Sequence, residues 1–153
     1  MTNRIETLKA LQARIRASTG ADRELDADIC VTLRYTDQDA LCHKWMATYP
    51  KWIPYNDGHI QLSENGPHFK TPSLTASIDS CLALLKEILS GWRFEIRQLQ
   101  VEDFQARVLR LALKRTPRDD IFASHRCATH ALLLAIIEAV IAEEEAKQPE
   151  KTT

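Results

Sequence analysis

The chain has 153 residues, of which 44% are hydrophobic and 27% are charged, and its formal net charge is −1. A chain of this length can bury a core without disulfides or metals, and the near-neutral charge excludes a global field that would attract nucleic acid or imitate it. We therefore expect one domain over residues 1–147, followed by a frayed tail at 148–153.

No segment predicts secretion or membrane insertion. The longest uninterrupted apolar run, residues 131–137, is far shorter than the roughly 20 residues that cross a bilayer. The N-terminal residues carry basic side chains among apolar ones, which is not typical of a secretory signal. Four widely spaced cysteines without a CxxC pair are typical of reduced structural thiols. We expect a cytoplasmic protein.

Two helices are predicted in the first part of the chain. Apolar residues recur at intervals of three and four over residues 3–17, and Gly20 is expected to end this helix in the left-handed conformation. Asp22 is a preferred N-cap residue, and we expect it to begin a second helix that ends near Arg34. Three carboxylates of the second helix are interpreted as its polar, solvent-facing side: Glu24, Asp26 and Asp28.

Residues 36–72 are the least regular part of the chain and carry many aromatic side chains. Asn56-Asp57-Gly58 predicts a tight turn, and residues 59–62 alternate as a short strand does. Because so many aromatic residues would be costly to leave in water, we expect an ordered excursion with a small hairpin. Three of its aromatic residues are candidates for contact with a partner: Trp45, Trp52 and Tyr55.

The same segment contains four residues of the types that bind zinc. Their spacing fits no standard zinc site, so we interpret them as surface or hydrogen-bonded side chains. We expect neither a metal nor another cofactor. The four residues are Cys42, His43, His59 and His68.

A third helix and a strand hairpin are predicted next. Thr75 or Ser77 is expected to cap the helix, which stops at Ser90-Gly91. The pattern then changes to a period of two, which predicts one strand beginning at Trp92 and a second one over residues 109–114.

Arginine and lysine side chains share faces of these two predicted strands. Arg93 and Arg97 lie on one face of the first strand, and Arg110 and Lys114 lie on one face of the second. Pairing of the strands could merge the four into a basic patch that binds phosphate groups, RNA or an acidic protein. The alternative is an ordinary solvated sheet face on which Glu95 offsets part of the charge.

The last predicted helix begins after a loop at residues 116–124, with Thr129 as its cap, and ends near residue 147. His125, Cys127 and His130 lie at its start, where an imidazole or a thiolate would feel the positive end of the helix dipole. A reactive thiol is one interpretation of this cluster. A packed cysteine at a capped helix is the simpler one.

Motifs of the common enzyme classes are absent from the sequence. No glycine is followed by lysine, as a phosphate-binding loop requires, and no GxGxxG occurs. His-Glu-x-x-His, GxSxG and paired CxxC motifs are also missing. We therefore expect a protein without enzymatic activity.

Three blocks of the sequence resemble a family of small phage-encoded proteins. The blocks are residues 17–29, 73–85 and 128–141. Together they resemble the phage ABA-sandwich domain family, in which the patterns TGxDRELDxxI, YTxSLDxAL and ATPALALxxAxL occur in this order. Leu74 stands in place of the family's tyrosine, and His130 in place of its proline. The matching residues are Thr19, Gly20, the run from Asp22 to Asp26, Thr75, Ser77, Asp79, Trp92, Ala128 and Thr129. The resemblance implies a sandwich-like fold and a bacterial host cell as the setting, but no biochemical activity.

The sequence as a whole predicts a single α+β domain in which a small antiparallel sheet is packed by about four helices, in an α-β-α sandwich-like arrangement. We expect a non-enzymatic phage accessory protein that binds a host or phage macromolecule, for example as a counter-defence inhibitor. A protein is the expected partner, and a homo-oligomer is an alternative. Two other functions stay open: an oligomeric pocket protein that sequesters a nucleotide-like signal through Arg93, Arg97, Arg110 and aromatic residues, and a hydrolase that uses His125 or Cys127.

Overall fold

The structure, a computed structural model, describes residues 3–35, 52–54, 59–61, 68–110 and 119–148. These residues form four helices and two antiparallel sheets of three strands each. The helices are α1 (Arg4–Ala17), α2 (Arg23–Leu33), α3 (Ile78–Ile88) and α4 (Ala128–Lys147). The strands are β1 (Ile53–Pro54), β2 (His59–Gln61), β3 (His68–Lys70), β4 (Trp92–Gln100), β5 (Asp103–Arg110) and β6 (Asp120–His125). The predicted α+β fold is confirmed.

Side-chain caps begin the first three helices. Asn3 caps α1 by accepting a hydrogen bond from the backbone N–H two residues further on, at 3.2 Å. Asp22 caps α2, as predicted, because its carboxylate accepts a hydrogen bond of 3.0 Å from the backbone N–H of Leu25. Ser77, and not Thr75, caps α3. Each cap gives an acceptor to an N–H group that has no partner within its helix.

The end of α1 differs from the prediction for Gly20. Ser18 follows the helix with an extended backbone, and its N–H donates to the carbonyls of Arg14 and Ile15. The chain therefore leaves α1 without a left-handed residue, and Gly20 has no positive φ. In the described part of the chain the left-handed conformation is adopted by Arg34, Gly91 and Glu102.

The main sheet has the strand order β4-β5-β6. β4 and β5 form a hairpin as predicted, but β5 begins at Asp103, six residues before the predicted start at residue 109, and residues 111–114 lie outside the described residues. The loop predicted at residues 116–124 is wrong for residues 120–124, which belong to β6. Ile121 and Ala123 point toward the core opposite residues of β5, which explains why this segment is a strand. Asp120, the first residue of β6, and the preceding Asp119 pair with arginines of β5.

Helix α4 is the centre of the hydrophobic core. It packs against β5 and β6 as well as against α1 and α3, and every residue from Ala131 to Ile137 is at most 2% exposed. A helix that is apolar on all sides must be covered on all sides. We call the sheet face that α4 covers the helix side and the opposite face the outer side. Within the described residues no helix has the length and hydropathy of a membrane span.

The start of α4 also differs from the prediction. Cys127 occupies the N-cap position and makes no capping bond with its side chain. Thr129 lies in the first turn, and its hydroxyl donates to the carbonyl oxygen of Thr75 at 2.9 Å. The hydroxyl is therefore used for a contact between distant parts of the chain instead of for a cap.

The small sheet, with the order β1-β2-β3, packs against α2. Ile60 and Phe69 of the sheet contact Ala27 and Val31 of the helix, and Trp52 packs beside them. The strand predicted from His59 onward is confirmed over residues 59–61. The described parts of the excursion thus form a second, smaller core on α2.

Candidate functional site

The strand register separates the arginines that the sequence had grouped. Arg110 lies directly opposite Trp92, so both side chains are on the helix side of the sheet. Arg93 and Arg97 alternate with Trp92 and therefore lie on the outer side. Arg93 and Arg97 therefore do not form one patch with Arg110. The prediction of a merged basic face is wrong with respect to Arg110. Lys114 lies outside the described residues.

The outer side carries a row of ion pairs across all three strands. Arg97 donates to Glu95 at 2.7 Å, and Arg107 lies 3.6 Å from the same carboxylate. Arg107 also donates two hydrogen bonds to Asp120, both of 2.7 Å. The hydrogen bond from Arg97 lowers the pKa of Glu95, aided by the charges of both arginines. With Arg93 added, three cations face two carboxylates, so the surface is close to charge balance.

An aromatic ring lies within this row of charges. Phe122 is opposite Arg107 in the register, is 53% exposed, and has the guanidinium carbon of Arg107 at 5.3 Å from its ring centroid. Four of the six large hydrophobic side chains that are exposed among the described residues belong to this sheet and its hairpin turn: Phe94, Leu99, Val101 and Phe122. Exposed apolar side chains are thus concentrated on the main sheet and its hairpin turn, and Phe122 is the one of them that lies among these charges. We define the outer sheet surface as Arg93, Glu95, Arg97, Arg107, Asp120 and Phe122.

Arg110 takes part in a separate cavity on the helix side. Its guanidinium lies over the ring of Trp92, 5.5 Å from the centroid, and donates to Asp119 at 2.7 Å and to Glu143 at 3.5 Å. Trp92, Arg110, Glu143 and Lys147 line a cavity of about 250 Å³. Two carboxylates already neutralise the arginine, and this arrangement does not favour a phosphate group.

The aromatic candidates of the excursion are described only in part. Trp52 is half-buried, and its indole N–H donates to Asp28 at 2.6 Å, while Asp28 also pairs with Arg14. Trp52 therefore ties the small sheet to α2 and is not a free contact residue. Trp45 and Tyr55 lie outside the described residues.

Of the four candidate zinc ligands in the excursion, the structure describes only His59 and His68, which belong to the small sheet. The rings of His59 and His68 meet edge to face with centroids 5.7 Å apart. Cys42 and His43 lie outside the described residues. The pairing of two imidazoles alone does not make a metal site.

The three blocks that carry the family resemblance meet at Thr75. Its hydroxyl accepts from Asp22 N at 2.8 Å, its N–H donates to Asp26 at 2.7 Å, and its carbonyl accepts from Thr129 at 2.9 Å. We call these four residues the three-block junction. It connects the starts of α2 and α4 to the segment before α3, so the matching residues have a structural role.

Asp26 does not belong to a solvated helix face, and that interpretation was wrong. Its side chain is fully buried and pairs with Arg23 at 2.9 Å as well as with Thr75. Burial raises the pKa of its carboxyl, although the hydrogen bonds and the arginine act in the opposite direction. Arg23 in turn donates to the backbone and hydroxyl of Thr71 and to Ser73. The spacing of carboxylates along α2 gave no signal of this burial.

The cluster at the start of α4 is brought together by the fold. The rings of His125 and His130 stack with centroids 4.8 Å apart, and the two rings and the Cys127 thiol form one group. Burial and the neighbouring His125 lower the pKa of His130 below its ordinary value. The thiol of Cys127 lies 3.6 Å from the carbonyl oxygen of Thr19 and makes no hydrogen bond to either described imidazole. A cysteine–histidine nucleophile is not formed.

Sequence reasoning did not place Arg107, Asp120 and Phe122 on this face of the sheet. The second strand was expected to begin only at residue 109, and β6 was expected to be a loop, so these side chains were not assigned to a face. The alternation of Ile121 and Ala123 with Phe122 was the signal available in the sequence.

Neither a family model nor a curated protein nor a solved structure matches the chain. Any proposal of function therefore rests on the geometry of the described residues.

Proposed function

We propose that this chain is a non-enzymatic binding protein that contacts a protein partner through the outer sheet surface. The observation that carries the proposal is the exposed ring of Phe122 beneath the guanidinium of Arg107, which two carboxylates hold in place. Aromatic and arginine side chains are enriched at protein interfaces and contribute most of their binding energy. A preorganised arginine also loses less conformational entropy on binding.

The charge pattern favours a protein over a nucleic acid. Nucleic-acid affinity depends on cations that neutralise phosphates. On the outer sheet surface Glu95 and Asp120 already engage Arg97 and Arg107, which leaves little net positive charge. A mixed surface of this kind is complementary to a protein with its own mixed charges around an apolar centre.

The resemblance to phage proteins supports the biological setting. In that setting the partner is a host or phage protein, and a role as a counter-defence inhibitor is the form of the proposal that we favour. The alternative of a nucleotide-binding pocket receives no support from the cavity beside Trp92, since Arg110 there is engaged by carboxylates. The hydrolase alternative lacks a paired nucleophile and base at Cys127.

Affinity capture from a bacterial lysate, followed by quantitative mass spectrometry, tests the proposal when it compares matched variants. Phe122→Ser should reduce the captured partner by about thirty-fold or more, as expected for a central interface residue that contributes about 2 kcal/mol. Phe94→Ser is the control, because Phe94 is also exposed on the main sheet but points to the helix side. The two variants should melt alike.

The capture assay also tests the charged side chains of the outer sheet surface, with one variant on that surface and one control variant away from it. Arg97→Glu should weaken capture, whereas Arg126→Glu should not, because Arg126 pairs with Glu102 away from the outer sheet surface. Equal losses for Phe122→Ser and Phe94→Ser, or no loss for either, would contradict the proposal. A self-associated state that Phe122→Ser dissolves would instead assign the surface to contacts between copies of this chain.

A further inference from the structure

The main sheet has a long free edge within the described residues. β4 pairs with β5 on one side, and no described strand pairs with its other side. An edge strand presents backbone N–H and C=O groups that can pair with a further strand. β4 has nine residues, whereas about five or six are typical of a strand. Its free edge is therefore a long surface for strand pairing.

Most of β4 lacks the features that protect edge strands against pairing. The strand contains neither proline nor lysine. The ladder with β5 has one irregularity, between Gln98 and Gln100, and residues 92–98 keep a regular register. This part of the strand can accept another strand in regular geometry. Its side chains on the helix side carry no charge: Trp92, Phe94, Ile96 and Gln98.

The helix side of β4 is also incompletely covered. α4 packs against β5 and β6, and Phe94 on β4 is 44% exposed. Ile96, the next residue on the same side, is only partly buried where it packs against the core. A strand added beside β4 brings its own side chains next to these two residues, because opposite residues of paired strands point to the same face.

The sequence of β4 favours a second copy of β4 as the added strand. Ile96 is the midpoint of Trp92–Gln100, so antiparallel pairing over the whole strand places it opposite Ile96 of the second copy. Glu95 then lies opposite Arg97 of the second copy, and Arg97 opposite its Glu95. Two carboxylates and two guanidinium groups thus alternate around the twofold axis on the outer side. Opposite charges placed directly across a strand pair stabilise it.

Other registers of the two copies are less complementary. Pairing centred on Glu95 places this carboxylate opposite itself and Arg93 opposite Arg97, and like charges directly across a strand pair are destabilising. Pairing centred on Phe94 places Arg93 opposite Glu95, but it joins only residues 92–96 of each strand. The register that uses the whole of β4 is therefore also the one that pairs Glu95 with Arg97.

We propose that the chain forms a homodimer in which two β4 strands pair antiparallel about Ile96, so that the two main sheets become one sheet of six strands. Backbone hydrogen bonds and the contact of Phe94 with Ile96 of the second copy supply the affinity. The charges set the register, because Glu95 and Arg97 are 39% and 63% exposed and such pairs contribute little affinity. Phe122 lies on β6, so the dimer leaves it exposed.

Sedimentation velocity of the purified chain at several concentrations tests the dimer. A single strand pair is smaller than the interfaces of about 1,200 Å² or more that stable complexes bury, and we expect a dissociation constant of about 1–100 μM. Glu95→Arg replaces both attractions across the strand pair by repulsion, and Arg97→Glu does the same. Each variant should dimerise about ten-fold or more weakly than the wild type.

Mixing these two variants separates contacts between copies from contacts within one chain. In a mixed dimer the positive side chains at positions 95 and 97 of one chain face the negative side chains at positions 97 and 95 of the other. The equimolar mixture should therefore form a one-to-one heterodimer with about the affinity of the wild-type dimer. Native mass spectrometry with one variant isotopically labelled identifies it. A pair that acts only within one chain does not produce this recovery.

Arg93→Glu is the matched control, because Arg93 shares the outer side but lies opposite Leu99 of the second copy in this register. It should dimerise as the wild type does, and so should Phe122→Ser. The proposal is overturned if the wild type remains a monomer at about 1 mM, or if neither Glu95→Arg nor Arg97→Glu weakens the dimer. It is equally overturned if the mixture stays monomeric, if Arg93→Glu weakens the dimer as Arg97→Glu does, or if Phe122→Ser dissolves it. These measurements use the purified chain alone, so their failure is distinct from a failure of the lysate capture.

Discussion

Replacement of Asp26 by alanine tests whether the three-block junction stabilises the fold. The carboxylate is fully buried and accepts hydrogen bonds from Thr75 N at 2.7 Å and from Arg23 at 2.9 Å. Its removal leaves a buried N–H at Thr75 without an acceptor. It also takes away the ion-pair partner that orients Arg23 toward the segment before α3.

The expected loss follows from these two contacts. A hydrogen bond to a charged group contributes about 1.5–3 kcal/mol, and the bond from Thr75 N sets most of the loss. The Arg23 pair adds no more than about 1 kcal/mol, because the arginine side chain is 42% exposed and its charge is screened. Burial of the carboxylate opposes folding, and its removal offsets part of the loss. The net loss should be about 2–3 kcal/mol, a large share of the roughly 5–15 kcal/mol typical of a domain.

Urea unfolding measures this loss. With a slope of about 2 kcal/mol/M, the midpoint should fall by about 1–1.5 M. Glu24→Ala is the control on the same helix, because Glu24 is exposed, and it should change the free energy of unfolding by less than about 0.5 kcal/mol. Asp26→Asn keeps an acceptor for Thr75 and should lose only about 1 kcal/mol. Equal midpoints for Asp26→Ala and Glu24→Ala would refute the structural role of the junction.

The effect of pH on the same site has a defined sign. Because burial raises the pKa of Asp26 above its ordinary value of 3.8, the folded protein retains this proton to higher pH than the unfolded chain does. The carboxyl therefore contributes stability that is fully present below pH 3.8 and is lost as pH rises through the raised pKa. The stability difference between wild type and Asp26→Asn should be larger in acid than at neutral pH. A difference that grows toward neutral pH in urea unfolding would contradict this reasoning.

Three further predictions concern the core and the thiols. Ile137→Asp places an unpaired charge in a fully buried position of α4, at a cost of several kcal/mol, and should abolish soluble expression; a variant that expresses and melts as the parent does would contradict the burial. Burial raises the pKa of the Cys81 thiol to about 12, and in Cys42→Ser/Cys127→Ser protein the two remaining thiols, Cys30 and Cys81, are both buried, so a disulfide reagent at mildly alkaline pH should modify Cys81 only after unfolding; rapid modification of Cys81 in the native protein, located by peptide mass spectrometry, would refute this. Thr129→Val should lower the free energy of unfolding by about 1 kcal/mol through the lost hydrogen bond to the segment before α3, whereas Thr129→Ser, measured in the same urea titration, should not.

Much of the secondary structure could be predicted because its signals are local. A helix cap such as Asp22 or Ser77 acts on an N–H three residues away, and the alternation after Trp92 is a property of consecutive residues. The α+β class and the presence of a hairpin after Trp92 follow from these patterns, although most of β5 precedes the run at residues 109–114 that predicted its second strand. Another misjudged segment, residues 120–124, begins with Asp120 and directly follows Asp119, and the partners of both aspartates are supplied by another strand.

The candidate sites depended on contacts that no local pattern contains. Arg110 and Arg97 are separated by the pairing register, in which one residue of shift exchanges the two faces of a strand. The burial of Asp26 was decided by Thr75, 49 residues away along the chain. The sequence by itself determined which segments become helices and strands, because backbone geometry and caps act over a few residues. Only the tertiary structure decided which charges are buried, paired or exposed, because those outcomes depend on groups that meet through packing.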